Sequence, residues 1–258
     1  MRAGNSSPGE TVTANINLSV SGRPLQLEIT VPTGLTRPSR MLPVFRSISE
    51  SFVDFAVDRA REEGLEVSCK KGCGACCRQL VPISEADARR LCEVVNAMPE
   101  PRRSDVIGRF EFAKQSVQEA GLLEKLQNPE QIAEQDFRSV GLEYFHLGVP
   151  CPFLLEESCS IHPERPLVCR EYLVVSLPEN CTRQTGNPIE VLNMPGQVSK
   201  AVRRLGNRSD ERPDRWIPLI LALDWVEKHS DEITRPGTEM IEELLSELTR
   251  AKQAASEE

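Results

Sequence analysis

Residues 69–77 read Cys69-Lys70-Lys71-Gly72-Cys73-Gly74-Ala75-Cys76-Cys77, four thiols in nine residues with small and basic side chains between them. Glycine and alanine at these positions let the backbone turn tightly and aim several sulfurs into one volume. A packed core segment does not look like this, since cores are built from larger apolar side chains in a periodic pattern. Sulfur is the soft ligand that zinc and iron-sulfur clusters select, so the stretch predicts a metal site. Cys76 and Cys77 are adjacent, and neighbouring side chains point in different directions on a helix or strand. One of the two is therefore free to serve a separate site.

Further along the chain Cys151, Cys159, Cys169 and Cys181 form a second, looser group after a gap that holds only Cys92. Eight candidate ligands supply either two closed four-thiolate sites, or one 4Fe-4S cluster with the rest as a second site or as structural residues. The spacing does not divide them. Several thiolates around one metal carry net negative charge, and Lys70, Lys71, Arg78, Arg165 and Arg170 lie close in sequence. Arg165 and Arg170 are the candidates for offsetting that charge beside the ligands. His162 could replace one thiolate, but His162-Pro163 reads more simply as a surface turn. Cys92 falls beside Leu91, Val94 and Val95 in a helical pattern and is expected to be a small core hydrophobe.

Outward from the thiols, Thr11–Val31 alternates apolar and polar residues on both sides of Ser21-Gly22-Arg23-Pro24, the pattern of a β-hairpin with one buried face. It is the one clear strand signal. A Pro/Gly linker leads to Leu42–Glu63, with Phe45, Ile48, Phe52 and Ala56 at helical spacing. Ser84 followed by Asp87 is an N-cap signature for a helix that Pro99 should end. Helices are also expected over residues 104–120, 129–147, 195–204, 217–228 and 239–252. Gly121 and Gly148 stand near two of their ends as C-caps. Residues 148–177 are rich in proline and read as loop with one short strand at Tyr172–Val175. Gly186-Asn187-Pro188 is a turn, and Gly206–Asp214 a polar connection.

The expected fold is mainly α with a small N-terminal β-hairpin (α+β), a helical domain organised around a cysteine-ligated metal site. The hairpin and linker occupy residues 1–40 and the helical cysteine-cluster domain 41–205. C-terminal helices at 206–258 pack on it and end in a frayed tail. At 258 residues a sizeable core is feasible without disulfides.

The 31 basic and 39 acidic residues leave a net charge of -8, which argues against nucleic acid and anionic lipid as partners. Another protein remains the macromolecular partner to expect. Mean hydropathy is -0.34, and the most apolar stretch, Trp216–Val226, is too short to cross a bilayer and reads as a core helix. Met1–Pro8 has no apolar run of the signal-peptide kind, so a cytoplasmic location is expected, where thiols stay reduced and nine cysteines point to metal and not to disulfides. His146, His162 and His229 are too scattered for a histidine-rich centre, and no Gly-x-Ser-x-Gly is present.

Both cysteine groups together resemble the YkgJ-type cysteine-cluster family, described as a zinc- or iron-chelating domain with a CxxCxxCC signature. The residues that carry the resemblance are Cys69, Gly72-Cys73-Gly74-Ala75-Cys76-Cys77, Cys151-Pro152-Phe153-Leu154, Cys159-Ser160-Ile161-His162 and Arg165-Pro166-Leu167-Val168-Cys169-Arg170-Glu171-Tyr172. Two departures stand out: three residues instead of two separate Cys69 from Cys73, and His162 occupies a position where the family usually carries tyrosine. The resemblance implies a compact helical domain in which the two groups meet around metal, and it tilts the choice between iron-sulfur and zinc towards iron. The same pattern occurs in flagellin lysine N-methylases, which makes S-adenosylmethionine-dependent methyl transfer an alternative. A structural zinc protein presenting a partner-binding surface is another. Cys69-x-x-x-Cys73-x-x-Cys76 also matches the spacing of the radical S-adenosylmethionine motif, but the helices expected downstream are not the alternating strands of that fold.

Overall fold

The computed structural model describes residues 10–20, 23–182, 188–205 and 216–254. Ser21-Gly22 of the hairpin turn, Gly186-Asn187, the Gly206–Asp214 connection and the expected frayed tail beyond residue 254 lie outside them.

Strands β1 (Thr11–Val20) and β2 (Arg23–Pro32) pair antiparallel from Thr11 opposite Pro32 to Val20 opposite Arg23. Along β2 the side chains alternate, so Leu27, Ile29 and Val31 are buried while Gln26, Glu28 and Thr30 face solvent. That apolar row covers α1 (Pro38–Glu62), whose Met41, Leu42, Phe45, Ile48 and Phe52 return to one face every three or four residues. Pro38 sits in the first turn of α1, where its missing N–H costs nothing. The last helix, α10 (Gly237–Ala254), closes this core with Met240, Ile241, Leu244 and Leu248.

Past the first cysteine group the chain forms β4 (Pro82–Ile83) and then α2 (Glu85–Asn96). The Ser84 hydroxyl accepts from the Asp87 N–H at 3.0 Å, and the Asp87 carboxylate accepts from Ser84 in return. This is the capping box that the sequence signals. Helix α3 (Arg102–Glu119) packs Val106 and Phe110 on Leu91 and Val95 of α2, and Phe110 meets Phe153 edge-on with centroids 5.4 Å apart. Gly121 and Gly148 adopt left-handed backbone just beyond helices, with φ of 75° and 64°.

Elsewhere the elements differ from those expected. The single helix foreseen over residues 129–147 is broken into 3-10 turns at Pro129–Gln131 and Glu134–Asp136, and only then comes α5 (Phe137–His146). Pro129 lacks an N–H, and the stretch before Phe137 offers only Ile132 to bury, so no apolar stripe holds a regular helix there. An unforeseen short helix, α4 (Leu123–Gln127), precedes it. The stretch 217–228 begins not as a helix but as β7 (Ile217–Pro218), paired with β4. Pro218 pushes the preceding residue towards extended backbone, and after a 3-10 turn at Leu219–Leu221 the helix proper is α9 (Ala222–Lys228). Of the remaining helices, 195–204 shortens to α8 (Val198–Arg203).

Three two-residue ladders add to the hairpin among the described residues: β4 with β7, β3 (Leu35–Thr36) with β8 (Arg235–Pro236), and β5 (Leu154–Leu155) with β6 (Ser158–Cys159). The expected strand near Tyr172–Val175 reduces to one bridge between Val174 and Val191. Cys92 is half-buried on α2 and not a core residue, and Asn96 Nδ2 donates to its sulfur at 3.5 Å. The buried stripe of α2 runs through Ala88, Leu91 and Val95, and position 92 lies one step round the helix from it. None of the described helices is long and apolar enough to cross a membrane.

Candidate metal centre

The first thiol segment leaves α1 through Gly64, at φ 76°, and is tied down at Ser68, whose N–H donates to Val174 O at 2.8 Å. Next to it the Val174 N–H donates to Cys69 Sγ at 3.4 Å. A turn through Gly72, at φ 89°, is closed by the Cys73 N–H on Lys70 O at 3.0 Å. Only glycine adopts such a φ without strain. The chain then winds into a 3-10 turn, Ala75–Arg78. At three residues per turn Cys76 and Cys77 leave the axis about 120° apart, so the adjacent thiols address different neighbours.

The second segment is docked on the first by its backbone. Cys151 N–H donates to Cys77 O at 2.7 Å, and β5–β6 brings Cys159 opposite Leu154. The two-residue connection Glu156-Glu157 has positive φ at both positions, 49° and 55°, the geometry that a tight right-twisted hairpin requires. Glu157 pairs with Arg78 at 2.6 and 2.9 Å, and Arg78 Nη1 also donates to Gly74 O at 3.0 Å. A side chain on Gly74 would have no room: a Cβ there would lie 2.5 Å from Glu157 Oε2 and 2.8 Å from Leu154 Cδ1. Cys169 is on α6 (Leu167–Glu171), whose first N–H, that of Leu167, donates to Asp87 Oδ1 at 3.3 Å. The carboxylate that completes the capping box of α2 thereby also fixes the helix that carries Cys169. Cys181 is buried on α7 (Pro178–Thr182), which rests against the 3-10 turn.

Thiols of the two segments lie close enough for their charges to act on one another, Cys76 on Cys69 and Cys181 and on Cys151, Cys159 and Cys169 alike, whereas no other thiol acts on Cys92. Burial pushes the Cys151 thiol up to about 12, with Cys159 and Cys76 adding to the shift. Cys169 is pushed well above its ordinary value, first by burial and then by Cys151, Cys76 and Cys159. Both residues keep some exposed area, yet their sulfurs lie deep among protein atoms. Cys69, Cys159 and Cys181 are raised too, in each case mainly by burial. Cys76 runs the other way: a hydrogen bond with Cys77 lowers it to about 7 and raises its neighbour. The hydrogen bond between the adjacent sulfurs thus favours the thiolate on Cys76 over Cys77.

Arg165 faces these sulfurs. Its charge acts on Cys69, Cys76 and Cys159, and its Nε is buried with no hydrogen-bond partner. Arg170 acts on the backbone instead, donating to Arg165 O, Pro163 O and Glu50 Oε1 at 3.1, 2.5 and 2.8 Å, and it braces the loop that carries Arg165. His162 is exposed in the 3-10 turn His162–Glu164, and burial, with Arg165 and Arg170 beside it, holds its pKa below the ordinary value. That agrees with a turn residue.

The donor set fits a thiophilic metal. A buried thiolate needs a cation, and burial alone drives most of these thiols towards the neutral form. A buried N–H on a cationic side chain, unpaired and facing sulfur, is a donor in want of a charged acceptor. Among the described residues, no group of three or more His, Cys, Asp or Glu side chains is already drawn together so as to hold a metal ion. The Arg78–Glu157 clamp, the bare Gly74 and the Asp87–Leu167 tie carry no signal in the sequence beyond residue type, because each depends on a partner 79 or 80 residues away.

Comparison with known proteins places the segment. Residues 68–188 match the model of the CxxCxxCC family, described as a "putative zinc- or iron-chelating domain". No curated protein and no solved structure matches the chain.

Proposed function

We propose that the protein is a thiolate-ligated metalloprotein whose cysteine cluster holds an iron-sulfur centre. The observation that carries this reading is the convergence of thiols from residues 69–77 and 151–181 around Arg165, with its Nε buried and unpaired beside them. Hydrogen bonds and cationic charge near sulfur raise a cluster's reduction potential, so Arg165 would tune such a centre as well as steady it. Each ligand must lose a proton on binding, and metal retention therefore falls as pH drops. The family description admits zinc equally, and all-thiolate tetrahedral coordination suits it.

Protein purified without oxygen and without added metal is analysed for metal and acid-labile sulfide, with an ultraviolet-visible spectrum. Iron with equivalent sulfide and a broad visible absorption is the expected result. Colourless protein with stoichiometric zinc would keep the thiolate site but replace a redox centre by a structural one. Absence of both metals would overturn the reading.

A further inference from the structure

Away from the thiols, β7, α9 and the end of α4 enclose a cleft of about 320 Å³ that none of the nine cysteines lines. Its floor comes from the most apolar stretch of the chain, Trp216, Ile217, Pro218 and Leu221, together with Leu126 of α4. Sites for small molecules span about 300–1,000 Å³, so this one takes a single ring or a short alkyl chain with one polar group. Both tryptophans of the chain, Trp216 and Trp225, line it. Trp216 is held edge-on by Phe137 at 5.2 Å, and His229 stacks on Trp225 at 4.3 Å with the rings 9° apart. The Arg89 guanidinium lies 5.3 Å from the Trp225 ring centroid. An indole of the cleft therefore already takes a cation on its negative face.

The charges at the cleft have the same preference. Glu85 at the start of α2, Glu130 and Asp224 of α9 stand there against one ammonium among the described residues, that of Lys228. Lys114, which does not line the cleft, holds Asp224 in an ion pair. Even with Asp224 so neutralised, Glu85 and Glu130 outnumber Lys228. All three are exposed, and no ion pair among the described residues engages them.

We infer that this cleft is a binding site for a small organic cation, a substituted ammonium carried on an apolar or aromatic body. The body covers the floor of Leu126, Trp216, Ile217 and Leu221, and the ammonium is answered by Glu85, Glu130 and the indoles. An anionic ligand would meet a surplus of like charge, and a neutral one would leave the two glutamates unanswered. The inference is independent of the metal-binding reading, since no candidate metal ligand takes part in the cleft.

Tryptophan emission reads the cleft directly, because both tryptophans line it. Phenethylammonium is titrated into the full chain, with 2-phenylethanol and phenylacetate as neutral and anionic counterparts of the same size. The cation should change the emission saturably, the alcohol should bind roughly tenfold more weakly, and phenylacetate should not saturate. Glu85→Gln and Glu130→Gln should each weaken the cation roughly 2–5-fold, and Lys228→Gln should tighten it by a similar factor. Damage to the fold would not tighten binding, so the opposite signs isolate the role of charge. Equal affinity for ammonium and alcohol, tighter binding of phenylacetate, or weakening in all three variants would overturn the inference. So would the absence of saturable binding both in emission and in calorimetry. Acetyl-lysine methylamide distinguishes the sources of such a group. If it binds more tightly than phenethylammonium, the site takes a lysine side chain of a partner and the assignment to a small free cation is overturned; weaker binding supports that assignment.

Discussion

Arg165 and Arg170 lie five residues apart, both close to the thiols, yet their hydrogen bonds separate their roles. Arg170 spends its donors on Arg165 O, Pro163 O and Glu50, whereas Arg165 keeps a buried Nε free beside Cys69, Cys76 and Cys159. A guanidinium carries a permanent charge, and here that charge acts on the sulfurs of Cys69, Cys76 and Cys159. Arg165→Gln is therefore expected to weaken metal retention by roughly 10–100-fold, as loss of a partner around a metal ligand commonly does. Arg170→Gln should change retention less and act by loosening the 163–165 loop. Competition with a chelator, followed by loss of the metal's absorption, ranks the two, and equal or reversed effects would refute the division of labour. In the sequence both arginines are marked by proximity alone. Which of them faces sulfur depends on where Glu50 and the Pro163 carbonyl sit, and residue type does not encode that. His162 shows the reverse case, since the proline after it is enough to mark a turn.

At the scale of elements, the two thiol segments are held together by one close approach, the 3-10 turn Ala75–Arg78 against the β5–β6 hairpin. Gly74 has φ -94°, a conformation open to any residue, so its requirement is for space and not for backbone freedom. A Cβ would sit 3.2 Å from Glu157 Cα as well as against the Leu154 and Glu157 side chains. Glu157 can swing its carboxylate away, but the hairpin backbone must then move. Gly74→Ala should destabilise the fold by about 1–3 kcal/mol, the usual cost of overpacking, and lower metal retention as the segments part. Glu157→Ala is the control: it removes a solvent-exposed ion pair, of the kind that contributes little to stability, and leaves the backbone contact intact. Thermal melts of the two variants check this, and equal melting temperatures would show that the ion pair and not the approach matters. Elements with strong local signals were legible: the hairpin alternation, the α1 stripe, and Ser84 with Asp87. Those fixed by distant partners were not. Ile217–Pro218 is a strand because Pro82–Ile83 lies across from it, and residues 129–136 lack the apolar face that would keep them helical.

For the whole molecule, pH separates what holds the frame from what holds the thiols. Glu164 joins three elements: it accepts from Arg90 of α2 at 2.9 and 3.0 Å and from Arg46 of α1 at 2.8 Å, and it lies in the loop leading to Cys169. The Arg90 hydrogen bonds, with Arg46 behind them, depress its pKa from 4.5 to about 2. A depressed carboxylate stabilises the fold fully above its unfolded pKa, and that contribution is lost as pH falls from about 4.5 towards 2. Asp87 and Glu171 behave oppositely: burial raises both, so the folded state favours their protonated forms, and they detract from stability as pH rises through the acid range. Glu164→Gln should therefore melt below wild type at pH 6–7, by about 1–2 kcal/mol once its partial exposure is allowed for. The gap should close steadily below pH 4.5 and vanish near pH 2. A gap constant across that range would show that the side chain acts by packing and not by charge. In the metal-free chain the raised thiols of Cys151 and Cys169 add a loss at the other limb, because the unfolded thiols ionise above about pH 9 while the folded ones do not. Bound metal removes that alkaline loss by keeping the thiolates charged in the fold, so metal loading should extend stability above pH 9 while leaving the Glu164-dependent acid limb in place.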